Sequence, residues 1–317
     1  GAWFAAIRYY ILNQVDLYGT MYYPLMNMFR TESYGFLFGV FLAIPVFIIL
    51  SLLYWTINKI WSKTPEENRT GRRAFFRTAA TIVPLATIGG SSYAAFAGQQ
   101  ELVVTHESFG YTNLPPGLKN YKIVQLSDIH IGPSIDLDDF DEILKLALLQ
   151  KPNRVVITGD LIDKLAWLPQ VCERLTTFAK QIPDGVDFIL GNHEYHHDVN
   201  KVLDSLKRNT PMNILVNSNI QIMGGKQPVY IAGVAYDNDR EKEKREAMID
   251  KALSGIPDYA FVILLAHHPE FFEESIERKI PLTLSGHTHG GQIVFMGMPL
   301  VPTGTPYTKG RYVEEQS

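Results

Sequence analysis

Five short apolar runs in the second half of the chain each end in side chains that offer an oxygen or nitrogen lone pair. This pattern restricts the fold more than any other feature. Lys122-Ile-Val-Gln-Leu-Ser runs into Asp128-Ile-His130, Val155-Val-Ile-Thr-Gly into Asp160, and Asp187-Phe-Ile-Leu-Gly into Asn192-His193. Phe261-Val-Ile-Leu-Leu-Ala runs into His267, and Pro281-Leu-Thr-Leu-Ser-Gly into His287-Thr-His289. The runs have strand character, and helical patterns at 140–150, 168–180 and 241–253 fall between them. Alternating strands and helices predict an α/β domain, and sites in open α/β sheets form at the carboxyl ends of strands. A lone histidine beside an apolar run is ordinarily structural, but five donor clusters in phase predict one shared crevice. Gly159, Gly191 and Gly286 precede donors, where a tight turn and close backbone approach favour glycine.

The donors are aspartate, asparagine and histidine, with no thiolate. Cys172 is the one cysteine, and its amphipathic helical setting predicts packing. Such ligands suit Mn²⁺, Fe or Zn²⁺ and disfavour a cysteine-type structural zinc site. Seven donors exceed one tetrahedral ion, whereas two ions roughly 3.5–4 Å apart, bridged by a carboxylate and water, would use them all. Such a pair meets the needs of phosphate-ester hydrolysis without a serine or cysteine nucleophile.

Asp128-Ile-His130, Gly159-Asp160, Gly191-Asn192-His193-Glu194, His267 and Gly286-His287-Thr-His289 together resemble the calcineurin-like metallophosphoesterase signature over about residues 118–317. Gly286-His-Thr-His-Gly-Gly-Gln292 and Gly191-Asn-His-Glu-Tyr195 look closest to its membrane-associated bacterial branch, which includes enzymes similar to diacylglucosamine pyrophosphohydrolases. The resemblance implies a four-layer sandwich of two mixed β-sheets flanked by helices. It implies a phosphoesterase that cleaves phosphate ester or pyrophosphate bonds by metal-activated hydroxide, with two divalent ions, Mn²⁺ favoured over Fe or Zn²⁺. Carried over by position, Asp128, His130, Asp160 and His289 hold one ion, and Asp160, Asn192, His267 and His287 the other. Asp160 is then the bridging ligand and His193 the general acid. Of His267-His268, family position favours the first as ligand and leaves the second beside the ligands or exposed. Family members continue beyond the Lys309-Gly310-Arg311-Tyr312 region, so a C-terminally truncated domain is expected.

Two rivals follow from the same residues. His193-Glu194-Tyr195-His196-His197 spells the zincin protease motif H-E-x-x-H, which requires both histidines on one helix face and Glu194 as base. It leaves the other four donor clusters idle. A non-catalytic metal-binding module on the same fold is the second rival, though such a module is expected to have lost ligands.

The first hundred residues have a different texture, hidden in a whole-chain mean hydropathy near zero. Ser33–Asn58 carries no charge over 26 residues, and about 20 suffice to cross a bilayer as a helix. A transmembrane helix at about 34–57 is expected, preceded by an interfacial segment at 1–32. Lys59, Lys63, Arg69, Arg72, Arg73 and Arg77 make 58–77 a basic linker, placed in the cytoplasm by the positive-inside rule. A second uncharged stretch, 78–97, is a second transmembrane segment or a signal-like one. Gly71-Arg72-Arg73-Ala74-Phe75-Phe76-Arg77 resembles a twin-arginine export signal and Ala95-Phe96-Ala97 a signal-peptidase site, readings weighed equally against a plain basic flank and small-residue helix end. Residues 101–317 form the catalytic domain.

If the second segment crosses, that domain sits on the extracytoplasmic face of the bacterial inner membrane. This favours a lipid-linked or cell-envelope phosphate ester and disfavours diacylglucosamine pyrophosphate, whose chemistry is cytoplasmic. A net charge of −4 argues against nucleic acid as a partner. The alternating charges of Asp239–Glu246 read as a solvated helix face.

Overall fold

The computed structural model describes residues 23–60, 66–97, 102–132, 135–235, 241–291, 294–295, 298–299 and 304–314. The chain divides into two compact units, Gly1–Thr105 and His106–Ser317. Most of the segment expected at the membrane interface (1–32) lies outside the described residues.

In the first unit two long helices pack together, α1 (Tyr23–Ile60) and α2 (Glu66–Ala97). Part of the expected basic linker is therefore helical, because the arginines after Glu66 continue into the uncharged stretch without a break. Among the described residues one segment, Gly35–Ile60, is long and apolar enough to cross a membrane. Phe41, Ile44, Phe47, Ile49, Leu52 and Trp55 of α1 are exposed. The helices meet closely at Gly39, where an added Cβ would stand 2.6 Å from Ile88 Cα. Ser91 Oγ lies 2.9 Å from both the Gly35 and the Ile88 carbonyl oxygens. Thr56, Thr81 and Thr87 donate to carbonyls four residues back, which satisfies hydroxyls on the outer surface of these helices.

The second unit contains two four-stranded sheets. The first has the order β1-β2-β3-β4, parallel throughout: β1 (Ile123–Leu126), β2 (Arg154–Ile157), β3 (Val186–Phe188) and β4 (Asn213–Ile214). The crossovers carry α3 (Leu137–Leu149), α4 (Leu168–Ala179), α5 (Asn192–His196) and α6 (Val199–Asn209). The second sheet has the order β5-β6-β7-β8: β5 (Ser218–Met223), β6 (Val229–Val234), β7 (Phe261–Ala266) and β8 (Leu282–Leu284). Only β5 runs antiparallel to its neighbour, since the short 224–228 connection permits a hairpin and not a crossover. The expected pair of sheets flanked by helices is thus present, and the strands of the first run parallel because helices connect β1 to β2, β2 to β3 and β3 to β4. A short hairpin, β9 (Val294–Phe295) with β10 (Met298–Pro299), follows β8.

Strand periodicity assigns each face. Val156 and Ile189 of the first sheet pack against Val229, Ile231, Ile263 and Leu265 of the second, forming the core between the sheets. The alternate residues Ala232, Val234, Leu264 and Ala266 face α7 (Lys242–Leu253) and α8 (Phe271–Glu277) through Ile249, Ala252 and Phe271. Val155 and Ile157 are also fully buried, so β2 is covered on both faces, as parallel strands require.

One buried ion pair crosses the first sheet. Arg154 Nη1 donates to Asp187 Oδ1 and Oδ2 at 2.9 and 2.8 Å, and Asn213 adds a donor at 2.8 Å. Burial pushes the Asp187 carboxyl upward against the pull of Arg154. Arg154→Met is expected to lower unfolding free energy in urea by about 3–5 kcal/mol, since it leaves a buried carboxylate unpaired. The double substitution with Asp187→Leu should lose less than the single one.

Candidate metal centre

The five donor clusters lie just beyond β1, β2, β3, β7 and β8. Backbone hydrogen bonds continue past the strand ends and set the loops in register. Asp128 N donates to Gly159 O at 3.1 Å, His130 N to Asp160 O at 3.0 Å, and Gly286 N to His267 O at 3.0 Å. The glycines sit where side chains would collide. A Cβ on Gly191 would stand 2.5 Å from Asp160 N, and one on Gly286 would run into the Asp128 carboxylate.

Five of the donor residues occupy the left-handed backbone region: Asp128 (φ 53°), His130 (52°), Asp160 (52°), His287 (73°) and His289 (49°). Each such non-glycine position costs on the order of 1 kcal/mol. The turns aim the side chains inward.

Their lone pairs meet at two points. His130 Nε2 is 3.1 Å from His289 Nε2 and 3.6 Å from Asp160 Oδ2, and His289 Nε2 is 3.5 Å from Asp128 Oδ1. At the second point Asn192 Oδ1 is 3.0 Å from His267 Nε2 and 2.9 Å from His287 Nδ1. Asp160 Oδ2 is also 3.3 Å from His267 Nε2, so this one oxygen borders both groups. Asp160 is buried, as are Asn192 and His267.

The tautomers make these contacts informative. His267 Nδ1 donates to the Thr158 carbonyl at 2.7 Å, and His130 Nδ1 faces Asp163 Oδ1 at 3.2 Å. Each Nε2 then presents a lone pair to another acceptor, an arrangement that a cation between them would relieve. Ligand bonds of about 2.1 Å put neighbouring ligand atoms about 3.0–3.4 Å apart, close to the spacings seen. The donor set therefore fits divalent metal. The local field agrees: burial disfavours charge on His267, yet Asp160 and Asp128 raise its pKa overall. Asp160 is held below the usual carboxylate range, against its own burial, by His267 and by the His193 N–H at 2.8 Å.

Two residues have roles that motif reading missed. Asp163 Oδ1 accepts from His193 Nδ1 at 2.7 Å, besides facing His130, and lies 3.6 Å from His197 Nε2. Its carboxyl is pulled far down by the two nearer imidazoles, and it raises the His193 pKa in return. The signal in sequence was its place three residues after Asp160. Glu194 is fully buried and accepts from Asp160 N (3.0 Å), Leu161 N (2.8 Å) and Gly191 N (2.7 Å). That use of its carboxylate overturns the protease reading, in which Glu194 serves as base. His268 is buried and packs in a tilted arrangement against His287 with centroids 4.5 Å apart.

The calcineurin-like phosphoesterase family model matches residues 121–291, the span that contains every donor described above. The chain belongs to the calcineurin-like phosphoesterase family. Members are hydrolases that bind divalent metal ions, so the non-catalytic reading is not favoured. Its relatives include the uncharacterized metallophosphoesterase Cj0846 of Campylobacter jejuni, 37% identical over 205 residues, which are 63% of this chain and 52% of that one. The uncharacterized metallophosphoesterase YkuE of Bacillus subtilis is 30% identical over 240 residues, 71% of this chain and 78% of that one. A transmembrane protein with metallophosphoesterase domain from Bos taurus is 30% identical over 261 residues, 76% of this chain and 55% of that one. The chain thus spans about half the length of the Campylobacter relative it matches.

Glu194→Ala strands three buried N–H groups at the ends of β2 and β3. It should cost at least about 3 kcal/mol in denaturant unfolding and weaken metal binding in calorimetry, with Glu194→Gln falling between.

Proposed function

We propose that this chain is a membrane-anchored phosphohydrolase using two divalent cations, with Mn²⁺ favoured over Fe or Zn²⁺. Asp128, His130, Asp160 and His289 would hold one ion, and Asp160, Asn192, His267 and His287 the other. The observation that carries this reading is the pair of lone-pair clusters sharing Asp160 Oδ2. When bound, the ions supply Lewis acidity: charge neutralisation on phosphoryl oxygens and a lowered pKa for coordinated water.

The chain's own residues do the rest. Asp163 accepts a short hydrogen bond from His193 Nδ1, which favours the protonated ring and leaves the Nε2 proton as the exchangeable one. Breaking a P–O ester bond releases an oxygen that needs a proton, and His193 at the rim supplies it as general acid. Thr158 and Asp163 keep the His267 and His130 rings in the tautomers that binding requires. Glu194 holds the two loops bearing Asp160 and Asn192 at fixed separation.

Membrane anchoring is supported by α1 and by relatives named as transmembrane proteins from Bos taurus and Danio rerio. The contacts Tyr54–Phe76 and Gly35–Ser91 run in antiparallel order, so the uncharged part of α2 lies alongside the apolar part of α1. Small residues allow such close pairing in lipid. Both segments would then cross, with Lys59, Arg69, Arg73 and Arg77 near the cytoplasmic turn and the catalytic domain outside. A lipid-linked or cell-envelope phosphate ester, or a pyrophosphate, is the substrate class that suits this placement.

With Mn²⁺, the full chain is expected to hold two ions and hydrolyse phosphate esters. Asp160→Asn should hold one ion or none and lose activity. His193→Ala should keep both ions while kcat falls by about 10²–10⁴-fold. Metal-loaded, folded protein without turnover on mono-, di- or pyrophosphate esters would refute the activity. For topology, an alkaline phosphatase reporter fused after Gln100 should be active and a cytoplasmic reporter silent. The reverse pattern would refute the extracytoplasmic placement.

A further inference from the structure

Only one histidine of the run His193-Glu194-Tyr195-His196-His197 has a part in the proposed hydrolysis, yet the fold brings a second to the same carboxylate. His197 N donates to His193 O at 3.1 Å, so the helical turn of α5 carries through to His197. Side chains four residues apart share one helix face, and these two rings stand with centroids 6.2 Å apart. Glu194, between them, turns inward, where its carboxylate is taken up by three backbone N–H groups. The face that carries the two imidazoles meets Asp163, from the loop after β2.

One oxygen of Asp163 gathers both nitrogens. Asp163 Oδ1 is 2.7 Å from His193 Nδ1 and 3.6 Å from His197 Nε2. The first spacing is a hydrogen bond, and the second is too long for one. It is close instead to the separation of two ligand atoms on one tetrahedral ion, about 3.3 Å for bonds near 2.0–2.1 Å. The three side chains keep 24–34% of their surface exposed, so an ion can reach them from solvent. His130 Nδ1 also lies 3.2 Å from Asp163 Oδ1, but its Nε2 belongs to the donor group around Asp160. Asp163, His193 and His197 are all distinct from the seven residues assigned to the two resident ions.

We propose that Asp163, His193 and His197 form an inhibitory site for a third divalent cation, with Zn²⁺ the ion that fits best. Two imidazoles and a carboxylate are a zinc ligand set, and a water in the fourth position completes the tetrahedron. The same donors bind Mn²⁺ more weakly, so the site distinguishes the two metals. His193 moves away from Asp163 by roughly half an ångström to admit the ion. The ion then takes both the Nδ1 lone pair and the carboxylate that orients the ring, which withdraws His193 from its part as general acid. The inhibitory role rests on the phosphohydrolase reading, whereas the binding of the ion does not. His197 belongs to this site alone, so its removal separates the third ion from the reaction.

The test uses the full-length chain, His197→Gln and His196→Gln. Each is equilibrated with Zn²⁺ and its zinc counted per chain by atomic emission, and each Mn²⁺-loaded form is assayed on phosphate esters against added Zn²⁺. Wild type should hold one zinc more than His197→Gln. His197→Gln should need at least about tenfold more Zn²⁺ for half-inhibition, with Mn²⁺-supported turnover and thermal unfolding unchanged. His196→Gln, at the neighbouring exposed histidine, should behave as wild type. Equal zinc content in wild type and His197→Gln overturns the site, as does the same loss of zinc in His196→Gln. Equal inhibition despite different zinc content, or inhibition that follows release of Mn²⁺, overturns the inhibitory role. The zinc count needs no turnover, so an inactive but metal-loaded protein would count against the phosphohydrolase reading alone.

Discussion

The carboxylate of Glu194 sits in full burial among the N–H groups of Asp160, Leu161 and Gly191, and much of the site's geometry follows from that contact. It fastens the loop after β2 to the loop after β3, and each of those loops delivers a donor. Burial and the neighbouring Asp160 push this carboxyl upward in pKa, while the three backbone donors pull it down. The residue thus stays where water would not place it, because its partners are backbone groups that need an acceptor. With the loops fastened, Asp160 borders both donor clusters and Asn192 faces His267 and His287.

The site extends this logic outward in layers. Acceptors face acceptors at its centre, and groups behind three of the imidazoles fix their tautomers: Thr158 behind His267, Asp163 behind His130 and His193. A further ring of contacts, from Thr288 to Thr308 and Tyr312, fixes the last turn of chain against the ligand loop. Rigidity here comes from hydrogen bonds that each serve a backbone or an imidazole, and the apolar sandwich below serves only as a platform.

The strands and donors were legible in the sequence because they depend on local pattern. A buried parallel strand reads as an apolar run, and Phe261–Ala266 is an apolar run from end to end. The ligand glycines were legible for a similar reason, since a turn at a strand end leaves little room. Asp163 and Glu194 were not, because their roles depend on which loops lie side by side, and that is a property of the folded sheet. Glu194 even suggested a different chemistry, as its spacing to two histidines fits a helix that here spans only Asn192–His196. The parallel character of the first sheet and the C-terminal turn on Tyr312 were hidden too. Neither leaves a periodic trace.

Five donor residues in left-handed backbone conformations bear on how this chain can change over generations. Glycine or asparagine at those positions would relax the backbone and stabilise the metal-free fold. Drift without selection would therefore move toward such residues and away from aspartate and histidine. The loop ends of this domain carry five such positions, so the needs of the site and the ease of the backbone pull in opposite directions there.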